Sequence, residues 1–135
     1  MAMHERSTSW DEIGYAELPS GIKSYMYRIG DTEDPEAPTV FQAWFPPDCV
    51  VESHTHACDY SEIILEGAEQ VGRTWYHPGD IRIGEANKVY GPLRAGPEGV
   101  LKLVIFKTGA WHPVTVGSNT GATLGEAEIV AAFEK

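Results

Sequence analysis

The chain has 135 residues, of which 42% are hydrophobic and 22% are charged, and its formal net charge is −10. This length suits one domain with a hydrophobic core, and the composition is typical of a globular protein rather than a disordered one. Nucleic acid is not expected as a partner, because affinity for phosphates depends on clustered Lys and Arg. No apolar run approaches the roughly 20 residues of a membrane-spanning helix, and no signal peptide is recognisable. We therefore expect no membrane association, a cytoplasmic location, and reduced thiols at Cys49 and Cys58.

Gly or Pro interrupts the sequence about every 8 to 12 residues, and the runs between them are rich in β-branched and aromatic residues. This spacing predicts an all-β sandwich or barrel. A turn is predicted around Trp10–Ile13, and a short helix is predicted in GEAEIVAAFEK at the C-terminus. The predicted strands, in chain order, are Ile22–Ile29, Thr39–Phe45, Val50–His56, Tyr60–Leu65, Ala68–Val71, Arg73–Tyr76, Asp80–Ile83, Lys88–Tyr90, Val100–Lys107 and Val114–Val116.

The stretch ESHTHACDYSEIILEG carries the strongest functional signal, since His54 and His56 are two residues apart in a predicted strand. Residues two apart in a strand face the same side, so both imidazoles can point into a barrel. On the following strand, Tyr60, Glu62 and Ile64 are expected to share one face, opposite to Ile63 and Leu65. In the later run VLKLVIFK the alternation predicts that Lys102 faces outward.

Two motifs resemble those of the cupin superfamily, the first in PPDCVVESHTHACDYSEIILEG and the second in HPGDIRIGEANKVYGP, with AEQVGRTWY as the hairpin between them. The resemblance covers about residues 40–107 and is closest to the small RmlC-like cupins. It implies an all-β fold, namely a single-domain cupin-type jelly-roll β-barrel with a short C-terminal helix. It also implies that Tyr60, Glu62 and Ile64 form the inward face of their strand. Residues 1–135 would form that domain, with an N-terminal arm at 1–20 and a C-terminal extension at 108–135.

The chain departs from the cupin motifs at two positions where that family usually has metal ligands. The position seven residues before Gly67, usually Glu, is Tyr60, and the position ten residues after Asp80, usually His, is Tyr90. Glu62 lies two residues past the usual carboxylate position, a displacement of roughly 6.6 Å along a strand.

Three completions of the site follow from this departure. In the first, His54, His56 and Glu62 form a two-His-one-carboxylate metal site with open positions. In the second, the two histidines hold a metal with help from Tyr60, Tyr90, Asp59, His77 or His112. In the third, the histidines and tyrosines line a polar pocket that holds no metal.

The resemblance implies a divalent transition metal (Fe, Zn, Mn or Ni) and a small organic ligand or substrate. A metal-dependent enzyme would be of dioxygenase, lyase or isomerase type, with Glu62, Tyr60 and Tyr90 as catalytic residues. The alternative is a cupin that binds a metal or small molecule without turnover, and the sequence does not choose between the two. Small cupins commonly pair, so a homodimer is expected.

Overall fold

The computed structural model describes residues 5–18 and 20–115. Its only helix in that part of the chain is α1 (Trp10–Ile13), as the sequence predicts. Ser9 caps this turn, because its hydroxyl accepts a hydrogen bond from the Glu12 backbone N–H at 3.1 Å. The helix predicted at the C-terminus lies outside the described residues.

Within the described residues, ten strands make up the rest of the fold: β1 (Ala16–Glu17), β2 (Lys23–Arg28), β3 (Thr39–Phe45), β4 (Val50–Val51), β5 (His54–Thr55), β6 (Tyr60–Val71), β7 (Thr74–Tyr76), β8 (Ile81–Gly84), β9 (Leu93–Phe106) and β10 (Val114–Thr115). All their pairings are antiparallel. The larger sheet has the order β1-β2-β3-β9-β6-β7, with β4 added on β9 and β8 on β6, while β5 pairs with β10 in a second sheet. None of the helices in the described residues is long and apolar enough to cross a membrane.

Strand lengths depart from the predictions mainly at glycines. The two strands predicted on either side of Gly67 are one strand, β6, whose register with β9 shifts on both sides of that residue. Gly67 has φ +78°, and a β-carbon there would overlap the Gly99 carbonyl oxygen on β9. The glycine therefore bends a continuous strand where the sequence predicted an end. The strand predicted at Lys88–Tyr90 is reduced to one isolated bridge between Tyr90 and His54.

Side-chain orientation on β6 agrees with the prediction, because Tyr60, Glu62 and Ile64 are all buried. On β9 the prediction for Lys102 is wrong, since this side chain is only 2% exposed. Lys102 pairs with Ala43 on β3 and Ile64 on β6, both of which face the interior. Aligned residues of neighbouring strands share a face, so the barrel interior includes an ammonium group.

Two clusters of buried side chains form the core. The first surrounds Leu18, Ile22, Ile64 and Val100, and the second joins Phe41, Tyr60, Phe106, Cys58 and Trp111. Cys49 belongs to the first and Cys58 to the second, and no disulfide joins them. The second cluster forms the packed wall of the site that the two histidines occupy.

Candidate metal and ligand site

His54 and His56 are placed by backbone pairing on two sides. Thr55 and His54 pair with Val114 and Thr115 of β10. On the other side, the His54 N–H donates to the Tyr90 carbonyl at 3.0 Å, and the Tyr90 N–H donates to the His54 carbonyl at 3.1 Å. Both imidazoles are buried, at 6% and 5% exposure, and their ring centroids lie 4.9 Å apart. The two-residue spacing therefore brings both rings into one pocket, as predicted.

Backbone carbonyls fix the tautomer of each histidine. His54 Nδ1 lies 2.7 Å from the Glu52 carbonyl oxygen, and His56 Nδ1 lies 2.6 Å from the Trp111 carbonyl oxygen. Carbonyl oxygens only accept hydrogen bonds, so each Nδ1 carries the proton and donates it. Each Nε2 of the neutral ring therefore presents a lone pair, which is the arrangement found in metal-binding histidines.

Both lone pairs point at one hydroxyl group. The Tyr90 hydroxyl oxygen lies 2.5 Å from His54 Nε2 and 2.8 Å from His56 Nε2. A phenol has a single proton to donate, so it can satisfy only one of the two nitrogens. The lone pair of the other nitrogen then faces a lone pair of the Tyr90 oxygen with no proton between them. A bound cation would relieve this repulsion.

The charge states are consistent with these tautomers. Burial lowers the pKa of His54 to about 4. Burial, together with the charge of His54, lowers the pKa of His56 to about 3. Both rings are therefore neutral near pH 7. Burial raises the pKa of Tyr90 well above its ordinary value, so this phenol keeps its proton unless a cation binds nearby.

Glu62 is not brought to the histidine nitrogens. Its carboxylate accepts from Arg82 Nη2 at 2.7 Å and from Lys102 Nζ at 3.2 Å, and the residue is 2% exposed. Burial opposes its ionisation, but the charges of Lys102 and Arg82 prevail and lower the pKa of Glu62. Within residues 5–18 and 20–115, no group of three or more His, Cys, Asp or Glu side chains is placed to hold a metal ion.

The other predicted candidates lie apart from the two Nε2 atoms. The Tyr60 hydroxyl accepts from Arg82 Nη1 at 3.1 Å, although its ring packs 5.2 Å from that of His56. His77 is exposed at the turn before β8, where its backbone N–H donates to Asp80. The exposed His112 ring stacks on Trp111. Asp59 accepts from the Ala86 backbone N–H.

Three charged residues that the sequence did not identify complete the interior. Lys102 Nζ donates to Glu69 at 2.7 Å as well as to Glu62, and Glu69 is fully buried. The Arg82 guanidinium lies 4.3 Å from the centroid of the Tyr90 ring. The run IRIG carries no signal for Arg82, because strand alternation alone would place the two apolar isoleucines inward and Arg82 in solvent.

A cavity of about 100 Å³ connects the histidines with Glu62 and Lys102. A cavity of about 150 Å³ holds a benzene molecule, so this space suits a small organic ligand. The cavity wall is mainly aromatic and aliphatic. Its members include Phe41, Phe45, Val51, Val104, Phe106 and Trp111, together with His54, His56, Glu62, Tyr90 and Lys102.

No family model matches the chain, and no curated protein is significantly similar to it in sequence. Similar solved structures do exist. Oxalate decarboxylase from Bacillus subtilis superposes with a TM-score of 0.67 at 17% identity, over 93% of this chain and 35% of that one. An RmlC-like cupin protein from Ralstonia eutropha superposes with a TM-score of 0.67 at 10% identity, over 86% and 74%.

An RmlC-like cupin from Shewanella frigidimarina superposes with a TM-score of 0.64 at 16% identity, over 80% of this chain and 95% of that one. The chain spans about a third of the length of the oxalate decarboxylase, and most of the length of this second RmlC-like protein. Identities this low establish the fold and leave the activity open. The chain has the cupin fold, in its RmlC-like form.

Proposed function

We propose that this protein binds a divalent transition metal through Nε2 of His54, Nε2 of His56 and the Tyr90 oxygen. The ion would hold a small organic molecule in the adjoining cavity. The observation that carries the proposal is the proton count at the site, where two nitrogen lone pairs converge on a hydroxyl group with one proton. A metal ion accepts electron pairs from all three atoms at once.

The donor set fits such an ion. Neutral imidazole suits Zn, Fe, Ni and Cu, and a phenol coordinates as phenolate when the metal is a strong enough Lewis acid. The carbonyls of Glu52 and Trp111 orient the two rings from behind, as carbonyls and carboxylates commonly do around metal-binding histidines. The Arg82 guanidinium beside the Tyr90 ring favours the phenolate form, because it supplies positive charge at 4.3 Å from the ring centroid.

The side chains around the cavity would then bind and orient a ligand. A bound metal supplies Lewis acidity, which polarises a coordinated oxygen. The apolar wall, including Phe41, Phe106 and Trp111, excludes water and limits ligand size. Oxalate decarboxylase shows that a protein with this fold can act on a small organic acid, which supports the same general class of ligand here.

The proposal is tested by loading untagged protein separately with Fe(II), Zn(II), Mn(II) and Ni(II), dialysing it, and measuring the retained metal by mass spectrometry. About one equivalent per chain of at least one metal is expected, as for a site with preformed ligands. Retention below about a tenth of an equivalent of every metal would contradict the proposal and favour a metal-free polar pocket.

Binding without turnover is the second candidate function. It is favoured by the fact that Arg82 and Lys102 engage both carboxylate oxygens of Glu62, so this side chain is not free to exchange protons with a ligand. A general acid or base must reach the proton that it transfers. Thermal stabilisation by a metal and a small acid, with no turnover of any acid that stabilises, would support this second function.

We also propose that two copies of this chain form a homodimer through the outer face of β8. Ile81 and Ile83 are 60% and 79% exposed there, beside the half-buried Ile63 of β6. An apolar edge strand is a ready site for pairing with another chain, and a second copy presents the same apolar surface. Light scattering at micromolar concentration should therefore give twice the chain mass.

The change that tests this interface is the double replacement Ile81→Lys and Ile83→Lys, which should give a monomer. The matched control is Ile29→Lys, which alters an isoleucine of similar exposure (54%) beyond the end of β2 and should leave the dimer intact. A monomeric mass for the unaltered protein would disprove the homodimer.

A further inference from the structure

Lys102 places an amino group in the cavity wall, and the proposed metal site does not use it. Its side chain lines the cavity and is almost completely buried. Its Nζ lies 2.7 Å from Glu69 Oε1, 3.2 Å from Glu62 Oε1 and 4.3 Å from the centroid of the Phe45 ring. A lysine held in a desolvated pocket beside another cation is the arrangement that activates amines as nucleophiles, and Arg82 supplies that second cation across Glu62.

Glu69 is placed to take the proton of this ammonium group. It is fully buried, and within residues 5–18 and 20–115 its Oε2 has no hydrogen-bond partner. Both groups are charged at rest, and an ionised carboxylate with an unsolvated oxygen is costly, so Glu69 is suited to accept the proton for the time that Lys102 reacts as a neutral amine. Burial lowers the pKa of Lys102 and prevails over the opposing attraction of Glu62.

We infer that Lys102 captures a small uncharged aldehyde or ketone as a covalent iminium in this cavity. The size of the cavity, about 100 Å³, suits a small aldehyde or ketone. The two carboxylates are already matched by Lys102 and Arg82. An ionised ligand at this end would therefore bring in an uncompensated buried charge, whereas a neutral carbonyl compound would not.

The chemistry balances without any other reactant. Lys102 gives one proton to Glu69, and the free amine forms a C–N bond to the carbonyl carbon while the C=O pair moves to oxygen. A proton then passes from nitrogen to that oxygen, which gives a carbinolamine. The C–O bond breaks, the departing hydroxide takes the proton from Glu69, and water leaves. The products are one water molecule and a protonated imine on Lys102, with Glu69 ionised again.

The product retains the charge arrangement of the starting state. The positive charge of the ammonium becomes that of the iminium at the same nitrogen, so Glu69 at 2.7 Å still faces a cation. The N–H that remains on nitrogen can donate to that carboxylate. The site therefore stabilises the iminium with contacts that it already makes, which is the condition for efficient capture.

The test is reductive trapping on metal-free protein that has been treated with a chelator. Folded protein is exposed to propionaldehyde and cyanoborohydride at pH 7, and peptide mass spectrometry follows the labelled fraction of each lysine. Exposed amines are almost entirely protonated at this pH, so Lys102 should be labelled at least about tenfold faster than the exposed Lys88 and Lys107. In denaturing urea the three rates should become equal. Labelling of Lys102 no faster than that of Lys107 in the folded protein would overturn the inference.

A matched pair of variants tests the role of Glu69. Glu69→Gln removes the proton acceptor at nearly constant volume and should slow Lys102 labelling about tenfold. Glu66→Gln alters an exposed carboxylate on the same strand and should not change the rate. Equal rates in the two variants would rule out Glu69 as the acceptor. Metal retention measured on the same protein keeps the two proposals separate, because trapping requires no metal.

Discussion

Replacing His56 with alanine should reduce the affinity for the proposed metal by at least about a hundredfold, since even supporting residues around metal sites contribute ten- to a hundredfold. The change removes one of the two Nε2 donors, and His54→Ala should have the same effect. Affinity can be measured by competition with a metal-sensitive dye. The matched control is His112→Ala, which removes an exposed imidazole that stacks on Trp111 and should leave affinity unchanged. Equal affinity in all three variants would show that the metal binds elsewhere.

Tyr90→Phe and Glu62→Gln distinguish the possible third ligands within the same experiment. Tyr90→Phe removes only the hydroxyl group and keeps the backbone bridge to His54. Protein loaded with ferric iron should show a visible tyrosinate-to-iron absorption band, which this change should abolish and Glu62→Gln should preserve. The opposite outcome, in which metal is lost only in Glu62→Gln, would establish the two-His-one-carboxylate site.

Replacing Lys102 with methionine should lower the free energy of unfolding by about 3–5 kcal/mol, because removal of one partner leaves buried charge uncompensated. Methionine preserves much of the side-chain length, so the loss is mainly electrostatic. Glu69 is fully buried and forms its ion pair with Lys102, whereas Glu62 keeps Arg82. Urea denaturation at pH 7 measures the change.

The control for this prediction is Lys107→Met. Lys107 is exposed and lies just after β9, so little change in the free energy of unfolding is expected. Addition of Glu69→Gln to the Lys102→Met chain should recover part of the lost stability, because the uncompensated charge is then removed. A loss below about 1 kcal/mol in Lys102→Met would mean that Glu69 is already protonated in the folded protein.

The features that followed from the sequence depend on local spacing. Side chains in a strand alternate with a period of two residues. This period predicts that His54 and His56 share one pocket, and that Tyr60, Glu62 and Ile64 share one face, which is buried. The cupin motifs predicted the fold, and they also drew attention to Tyr90. Each of these conclusions requires only neighbours along the chain or a motif of known geometry.

The features that could not be predicted depend on pairing between distant strands. Lys102 lies 33 residues from Glu69 and 40 from Glu62, so nothing near it in sequence marks its partners. Alternation in its own strand predicts that Lys102 faces outward, because an ammonium group is unfavourable in the interior unless carboxylates compensate its charge. Those carboxylates lie on another strand, so the alternation alone gives the wrong face. In the same way, the contact that favours Tyr90 over Glu62 as the proposed third ligand joins Arg82 to Glu62 across 20 residues of sequence.

Successive residues of strand β8 face opposite sides of the sheet. Ile81 and Ile83 form an exposed apolar surface, while Arg82 reaches the interior and binds Glu62. A slip of one residue along β6 would reverse every side chain of the strand. The guanidinium would then lie in solvent and an isoleucine would meet a buried carboxylate. During evolution, insertions or deletions between Pro78 and Gly84 should therefore be far less tolerated than substitutions at Ile81 or Ile83.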